Sequence, residues 1–306
     1  MRKIIGLGES VLDIVFKEQQ PKSANPGGSA FNAIIAIGRC GLPCCFLTEM
    51  GDDLVADFSM DFMQKNGVDT RFVTRIPATK SRISLAFLDE ANEAKYQFYR
   101  DPEPGNLQYV MPEISEGDLV LISSFYAVNP AIRYRVAPFL RKAREAGAMI
   151  YYDVNFRPSH AADIPAVLDA VKENLELAHI VRGSLDDFKV LYGVSDADTI
   201  YAQLVSPYCK NLILTNGAEP VCIFTPNGKT EYPVQPIQTI STIGAGDNFN
   251  AGVLYSIYKK EIYREQLAGL SDDIWKEIYD TAQTFSREVC QSMENYVSQA
   301  FGLQMR

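Results

Sequence analysis

The sequence has few of the residues from which metal sites and disulfide frameworks are built. It contains two histidines, His160 and His179, and six cysteines spread over 306 residues. No cysteine and histidine spacing matches a zinc site. The short apolar stretch at the N-terminus is interrupted by Glu9, so we do not expect a secretory signal there. The sparse cysteines are therefore expected to be free thiols of a cytoplasmic protein.

Long hydrophobic runs and an excess of basic residues are also lacking. No stretch approaches the roughly 20 apolar residues that a membrane-spanning helix needs, so no membrane partner is expected. Lys and Arg number 29 against 38 Asp and Glu, a net charge of -9 that argues against nucleic-acid binding. Hydrophobic residues make up 47% of the chain, enough for one large α/β domain with a small appendage.

The second half of the sequence alternates between strand-like and helix-like segments. Predicted strands cover 119–123, 149–153, 179–182, 212–215 and 221–224. Predicted helices cover 130–146, 164–177, 186–192 and 199–206. This alternation predicts a parallel sheet with helices on both faces, and such sheets bind ligands at the carboxyl ends of their strands.

The first half predicts a second, smaller structure. A buried strand at 2–8 is followed by an extended polar region, and a helix with a broad apolar face covers 29–40. Two strand-like segments at 83–88 and 96–100, joined by a polar turn, predict a hairpin. Together with a strand from 11–24, this hairpin is expected to form a small β subdomain attached to the main fold.

The segment Gly244-Ala245-Gly246-Asp247 leads directly into an apolar helix. A turn of small residues before a helix leaves backbone N–H groups pointing outward, which favours binding of an anion. A carboxylate in this position is explained if Asp247 takes a proton from a hydroxyl that attacks a phosphoryl group. Taken alone, the segment also allows Asp247 to be an ordinary helix N-cap.

The Gly244–Asp247 segment resembles the GAGD signature of the ribokinase-like (PfkB) sugar and nucleoside kinases. Three further segments resemble motifs of the same family, in the same order along nearly the whole chain. These are Pro26-Gly27-Gly28-Ser29-Ala30-Phe31-Asn32, Gly51-Asp52-Asp53 and Asn66-Gly67-Val68-Asp69. The resemblance implies a three-layer αβα core with a mainly parallel sheet, in a single domain over 1–306. A β-sheet lid would come from about 13–25 and 72–108.

The resemblance also implies ATP-dependent phosphorylation of a sugar, with Mg²⁺. Asp247 would be the catalytic base, and the amides of Gly244, Ala245 and Gly246 would form an anion hole. Arg157, in a segment that resembles the family's Asp-x-Asn-x-Arg, would stabilise the transferring phosphate, or alternatively form a surface salt bridge. Substrate contacts are predicted for Asp13, Gly27, Gly28, Asn32, Arg82, Arg100 and Asn155. Asp13 and Asn32 have the alternative of ordinary surface positions.

Nucleotide-binding residues follow from the same resemblance. They are predicted to be Ser184, Thr215, Gly217, Thr242, Gly244, Gly246 and Asn295. Asp187 would act on Mg²⁺ through water. Ser184 and Asp187 stand where the family usually has Asn-x-x-Glu, and an ordinary helix cap is the alternative for Ser184. Ser241 replaces the family's usual Asp, which argues against activation by K⁺.

The segment Phe98-Tyr99-Arg100 resembles fructokinases, so fructose is the first expected acceptor. A 2-keto-3-deoxygluconate kinase is the alternative, as is a lid arginine paired only within the lid. A catalytically weak sugar or nucleotide sensor on the same fold is a further reading. A dinucleotide oxidoreductase is disfavoured because Val11 stands where the third glycine of its fingerprint would be. An open lid edge predicts a homodimer.

Overall fold

The computed structural model describes residues 2–89, 94–101 and 109–306. Its strands in chain order are β1 (Ile4–Leu7), β2 (Val11–Lys17), β3 (Gln20–Gly27), β4 (Cys44–Gly51), β5 (Val68–Asp69), β6 (Val73–Ile76), β7 (Ile83–Leu88), β8 (Ala94–Tyr99), β9 (Leu119–Ser123), β10 (Met149–Asp153), β11 (Ile180–Ser184), β12 (Leu212–Asn216), β13 (Glu219–Thr225) and β14 (Gly228–Tyr232). They form two separate sheets.

The helices have the following bounds: α1 (Ser29–Arg39), α2 (Leu54–Lys65), α3 (Arg133–Glu145), α4 (Ile164–Leu177), α5 (Leu185–Tyr192), α6 (Ala197–Thr199), α7 (Ala245–Lys259), α8 (Asp272–Cys290) and α9 (Gln299–Gln304). The helix predicted at 199–206 starts as α6 and continues as a wider π-helical turn over Ile200–Val205. Across the described part of the chain, we find no helix with the length and apolar character needed to cross a membrane.

The larger sheet has the strand order β14-β13-β12-β11-β10-β9-β1-β4-β5, and β6 pairs with β4. Every pairing from β11–β12 through to β4–β5 is parallel, whereas β12–β13 and β13–β14 are antiparallel. The strands predicted at 119–123 and 149–153 are β9 and β10, with the expected bounds. The sequence prediction missed β14, whose residues are mostly exposed and polar.

The buried strands contribute side chains to both faces of this sheet. In β1, Ile4 belongs to one hydrophobic cluster and its neighbour Ile5 to another, because successive strand side chains point to opposite faces. The first cluster includes residues of α1, α7 and α8, and the second includes residues of α3, α4 and α5. The predicted three-layer αβα core with a mainly parallel sheet is therefore confirmed.

The smaller sheet has the order β3-β2-β7-β8 and corresponds to the predicted lid. Its first part is a hairpin of β2 and β3 rather than the single strand expected from 11–24. The lower lid boundary predicted at 72 is wrong, because Val73–Ile76 pairs with β4 in the main sheet. Of the predicted lid region, residues 90–93 and 102–108 lie outside the described residues.

Candidate active site

The turn before α7 has a backbone that only glycine adopts easily. Gly244 caps the helix with φ 77°, and a Cβ atom there would lie 2.3 Å from the backbone oxygen of Asn295. The N–H groups of Gly246 and Asp247 belong to the first helical turn, where they have no intrahelical acceptor. The amide of Ala245 already donates to the Thr242 carbonyl at 3.2 Å. The backbone amides of Gly246 and Asp247 are therefore available to donate hydrogen bonds to an anion bound at this turn.

The carboxylate of Asp247 is held by two residues from the start of α1. Ser29 Oγ donates to Asp247 Oδ1 at 2.7 Å, and Asn32 Nδ2 donates to Oδ2 at 2.8 Å. Burial raises the pKa of Asp247 to about 6, although both hydrogen bonds oppose the shift. A carboxylate with this pKa is ionised at neutral pH and still has a useful affinity for a proton, as a general base requires.

Gly28 allows α1 to begin close to the chain around Glu9. It caps the helix with φ 129°, and a Cβ atom would lie 2.2 Å from the Glu9 backbone oxygen. A Cβ atom on neighbouring Gly27 would lie 2.4 Å from Asp13 Oδ2. The glycine pair therefore lets the lid strand β2, with the carboxylate of Asp13, lie next to the start of α1. This position is compatible with the substrate contacts predicted for Gly27 and Gly28.

Asp13 is a second carboxylate, and it lies on the same side of Asp247 as Asn32. Burial raises its pKa to about 6, Ser84 lowers it through a hydrogen bond, and Asp247 is close enough to raise it electrostatically. Asp13, Ser84 and Phe98 occupy paired positions on β2, β7 and β8, so they share one face of the lid sheet. The face of the lid that carries Asp13 therefore looks toward Asp247.

Asn295 does not lie where the sequence placed it. Its Nδ2 would be 3.4 Å from a Cβ atom on Gly27, so the side chain lies beside Asp13 and not in the nucleotide-sized cavity. The predicted contact of Asn295 with the nucleotide stays a prediction, and its position beside Asp13 does not support it. Its backbone oxygen accepts from Asn248 Nδ2 at 2.9 Å, which fastens the segment after α8 to the start of α7.

A cavity of about 460 Å³ opens on the other side of the Gly244–Asp247 turn. This volume lies in the range of small-molecule sites. Thr215, Gly217, Thr242 and Gly246, for which nucleotide contacts were predicted, lie on its wall, and the contacts themselves stay a prediction. Eleven further lining residues were not predicted to belong to a site: Arg182, Ala218, Val221, Val234, Gln235, Pro236, Ile237, Thr239, Phe249, Gln283 and Arg287.

Arg182 is the functional candidate that sequence reasoning missed. It ends in the cavity beneath Gly246, whose Cβ position is 3.1 Å from both of its terminal nitrogens. Its guanidinium donates to Asp153 Oδ1 at 3.0 Å and to Thr215 Oγ1 at 2.8 Å. A basic residue near the carboxyl end of a predicted parallel strand was the signal that could have identified it.

Ser184 and Asp187 form a capping box at the start of α5. Ser184 Oγ accepts from the Asp187 amide at 3.2 Å. The Asp187 oxygens accept from the amides of Ser184 at 2.6 Å and Phe156 at 2.9 Å. Both carboxylate oxygens of Asp187 therefore accept backbone hydrogen bonds, and its contact with Mg²⁺ through water stays a prediction. No group of three or more metal-ligating side chains occurs among the residues that the structure describes.

We expect Ser184→Ala to lower the free energy of unfolding by about 1 kcal/mol, because the first turn of α5 loses its cap. Urea unfolding of the two proteins measures the difference. Ser184→Thr keeps a capping hydroxyl and serves as the matched control. An unchanged free energy in Ser184→Ala would show that the cap does not contribute to stability.

The remaining predicted residues differ in exposure and in the charged groups near them. Asn155 is buried with φ 35°, and Arg157 is exposed but close enough to lower the pKa of Asp247 electrostatically. Arg82 forms ion pairs with Glu9 at 2.7 Å and Glu49 at 2.8 Å.

Arg100 follows β8 and is exposed. Like those of Arg82, Asn155 and Arg157, its function stays a prediction.

A buried carboxylate with a raised pKa at a helix N-terminus, with the polar residues Asp13 and Asn32 on one side and a cavity of about 460 Å³ on the other, is typical of an enzyme that transfers a phosphoryl group to a hydroxyl. Comparison with known proteins agrees with this class. The family pattern of the pfkB family carbohydrate kinases matches residues 2–270. The chain therefore belongs to the pfkB family, and the expected carbohydrate kinase is confirmed.

Two curated relatives are similar over most of their length. An aminoimidazole riboside kinase of Salmonella typhimurium is 26% identical over 271 residues, covering 87% of this chain and 84% of the relative. A fructokinase of Rhizobium leguminosarum bv. trifolii is 26% identical over 279 residues, covering 88% and 84%.

Among solved structures, a fructokinase of Vibrio cholerae bound to fructose, ADP and calcium has a TM-score of 0.85. It is 19% identical, over 100% of this chain and 99% of that one. An aminoimidazole riboside kinase of Salmonella enterica, bound to its riboside and an ATP analogue, has a TM-score of 0.81. It is 23% identical, over 99% and 98%. These likenesses establish the ribokinase-like fold.

Proposed function

We propose that this protein phosphorylates the hydroxymethyl group of a sugar, with ATP as the phosphoryl donor and fructose as the acceptor. The observation that carries the proposal is the position of Asp247. Its buried carboxylate lies in the first turn of α7, with Asn32 and Asp13 on one side and the 460 Å³ cavity on the other.

In this proposal the acceptor sugar lies between Asp13 and Asn32, which suit vicinal hydroxyl groups. The hydroxymethyl oxygen attacks the terminal phosphorus of ATP, and its proton passes to Asp247. The amides of the first turn of α7 stabilise the negative charge on the phosphoryl oxygens. Since the lid face with Asp13 covers the acceptor, it limits the access of water, which would otherwise compete as an acceptor.

The 460 Å³ cavity is assigned to ATP. Its polar end, with Arg182, Thr215 and Gly246, is suited to phosphates, and Phe249, Val234 and Ile237 offer apolar surface to the base. When bound, Mg²⁺ neutralises phosphate charge, and Asp187 would hold one of its water molecules. Ser241 provides no carboxylate, so we expect activity without K⁺.

Fructose is preferred because Phe98 shares the lid face with Asp13 and because fructokinases are among the relatives. Arg100 comes directly after β8, the strand that carries Phe98, and would reach a sugar oxygen or the acid group of 2-keto-3-deoxygluconate. Arg82 is the second lid candidate, although it pairs with Glu9 and Glu49. Aminoimidazole riboside is a further candidate acceptor because a kinase for it is similar over most of the chain.

The test is ADP release from Mg²⁺-ATP with fructose, ribose, tagatose, 2-keto-3-deoxygluconate, adenosine, aminoimidazole riboside or no acceptor. Rapid turnover with fructose supports the proposal, and faster turnover with another acceptor replaces fructose by that compound. ATP and sugar binding without ADP release would favour the sensor. In that case Ser184 and Ser241, which replace the residues usual in the family, would help to explain the weak catalysis.

Two further features accompany the proposed function. All six cysteines are free thiols, which agrees with a cytoplasmic location. The lid sheet ends in β3 and β8, and Phe87 and Tyr99 are exposed on the face opposite Asp13. These edges and side chains support a homodimer formed through the lid, which sedimentation equilibrium would test.

We expect kcat/KM to decline below about pH 6, because the base must be ionised and the pKa of Asp247 is raised to about 6. A single essential carboxylate produces a decrease of about tenfold per pH unit on the acid side. Asp13 titrates in the same range, so the profile is measured for the wild type and for Asp13→Asn. A midpoint near the ordinary aspartate value in both proteins would contradict the assignment of Asp247.

A further inference from the structure

A chain of short oxygen contacts connects Asp247 with a second buried carboxylate, Asp153. Ser29 Oγ lies 2.7 Å from Asp247 Oδ1 and 2.6 Å from Ser123 Oγ. Ser123 Oγ lies 3.1 Å from Asp153 Oδ2. Ser123 and Asp153 are almost completely buried, at 1% and 0% exposure, so the far end of the chain is removed from bulk solvent.

The number of protons in this chain is the informative quantity. The three oxygen contacts each need a hydrogen, but the two serine hydroxyls supply only two when both carboxylates are ionised. One contact must then bring two lone pairs together, which is unfavourable in a buried place. A single additional proton on one of the carboxylates completes all three hydrogen bonds.

The surroundings decide which carboxylate takes the additional proton. Asp153 accepts from the Arg182 guanidinium at 3.0 Å and from Asn250 Nδ2 at 2.8 Å. These donors stabilise its ionised form, since a buried guanidinium remains charged. Asp247 accepts from the neutral donors Ser29 and Asn32. The additional proton therefore belongs at the Asp247 end of the chain.

We propose that Ser29 and Ser123 link Asp247 to Asp153 by hydrogen bonds that stabilise the protonated form of Asp247 and so make Asp247 a stronger base. When Asp247 is ionised, Ser29 donates to it. When Asp247 carries the proton taken from the acceptor hydroxyl, Asp247 donates to Ser29, Ser29 to Ser123 and Ser123 to Asp153. No serine O–H bond has to break; only the direction of the hydrogen bonds reverses. Ser29, Ser123 and Asp153 are thus positioning residues for the reaction.

Charged groups near these oxygen contacts also act on the protonation of Asp247. Asp153 raises and Arg157 lowers the pKa of Asp247, and Asp13 faces it from the lid. Arg182 and Asp187 face Asp153.

The hydrogen bonds of the Ser123 side chain go to Ser29 and Asp153 and not to Asp247, so within the row of hydrogen bonds Ser123 reaches Asp247 through Ser29. This makes Ser123 the most informative residue to change.

The proposal rests on the proposed function, in which Asp247 is the base, and the experiment separates the two. In Ser123→Ala, protonated Asp247 can still donate to Ser29, but the Ser29 hydroxyl then has no acceptor. The protonated form is weakened and the acid limb of kcat/KM is expected to move down by about one pH unit. Ser123→Thr keeps the hydroxyl and should restore the wild-type midpoint. Ser256 is a buried serine of α7 that takes no part in the hydrogen bonds between Asp247 and Asp153 described above, so Ser256→Ala should leave the midpoint unchanged.

A second readout does not depend on turnover. The carboxyl carbon of Asp247 is titrated by NMR in protein labelled with ¹³C-aspartate, without substrate, and is identified by its loss in Asp247→Asn. A lower midpoint in Ser123→Ala supports the chain even if no acceptor is phosphorylated, in which case only the proposed function fails. An unchanged midpoint by both readouts in a folded Ser123→Ala protein overturns the chain, whatever the activity.

Discussion

Asp247→Asn is expected to lower kcat by about 10²–10⁴-fold, the usual contribution of a general base. The amide cannot accept the proton of the attacking hydroxyl, while the size of the side chain and its place beside Ser29 and Asn32 are kept. Nucleotide binding should change little, because the cavity wall and the amides of α7 are still present. Steady-state turnover and calorimetric ATP binding measure the two quantities.

Asp169→Asn is the matched control for this variant. Asp169 is an exposed residue of α4, so the same chemical change there should leave kcat at the wild-type value. Near-wild-type turnover of Asp247→Asn would remove Asp247 from the role of base. Loss of ATP binding together with turnover would instead indicate that the turn before α7 had been disturbed.

Gly244→Ala is expected to have the second largest effect, a decrease in kcat of about 10²–10³-fold, as when an oxyanion donor is removed. Alanine resists the φ of 77° found here, and its Cβ would lie 2.3 Å from the backbone oxygen of Asn295. A backbone oxygen cannot rotate away as a side chain can, so the turn has to move. The amides of Gly246 and Asp247 then leave the position of the phosphoryl group.

Gly217→Ala separates this steric argument from backbone strain alone. Gly217 also has a positive φ, 56°, and lines the same cavity, but nothing lies within 4 Å of its Cβ position. We expect a much smaller loss of turnover from this change, together with a modest loss of stability. Equal losses of turnover in the two variants would show that the contact with Asn295 is not the cause.

The main elements of the fold follow from local sequence patterns. The strands β9 and β10 are continuous apolar runs between turn residues, as buried parallel strands are, and their bounds were predicted correctly. The polar strand β14 lies at the sheet edge and carries no such pattern. The pairing of Val73–Ile76 with β4 was also missed, because four residues of strand character do not show which sheet they join.

The sequence by itself was enough to predict the turn at Gly244–Asp247 and to propose Asp247 as the base, because Gly244, Gly246 and Asp247 lie close together in the sequence and the proposed roles depend on local backbone geometry. It also determined the α/β class, through the alternation of strands and helices. Only the tertiary structure decided the partners of that base. Ser29 is separated from Asp247 by 218 residues and from Ser123 by 94, and Asn295 turned out to lie beside Asp13. Such contacts depend on the order in which strands assemble into the sheet, and side-chain type alone does not specify that order.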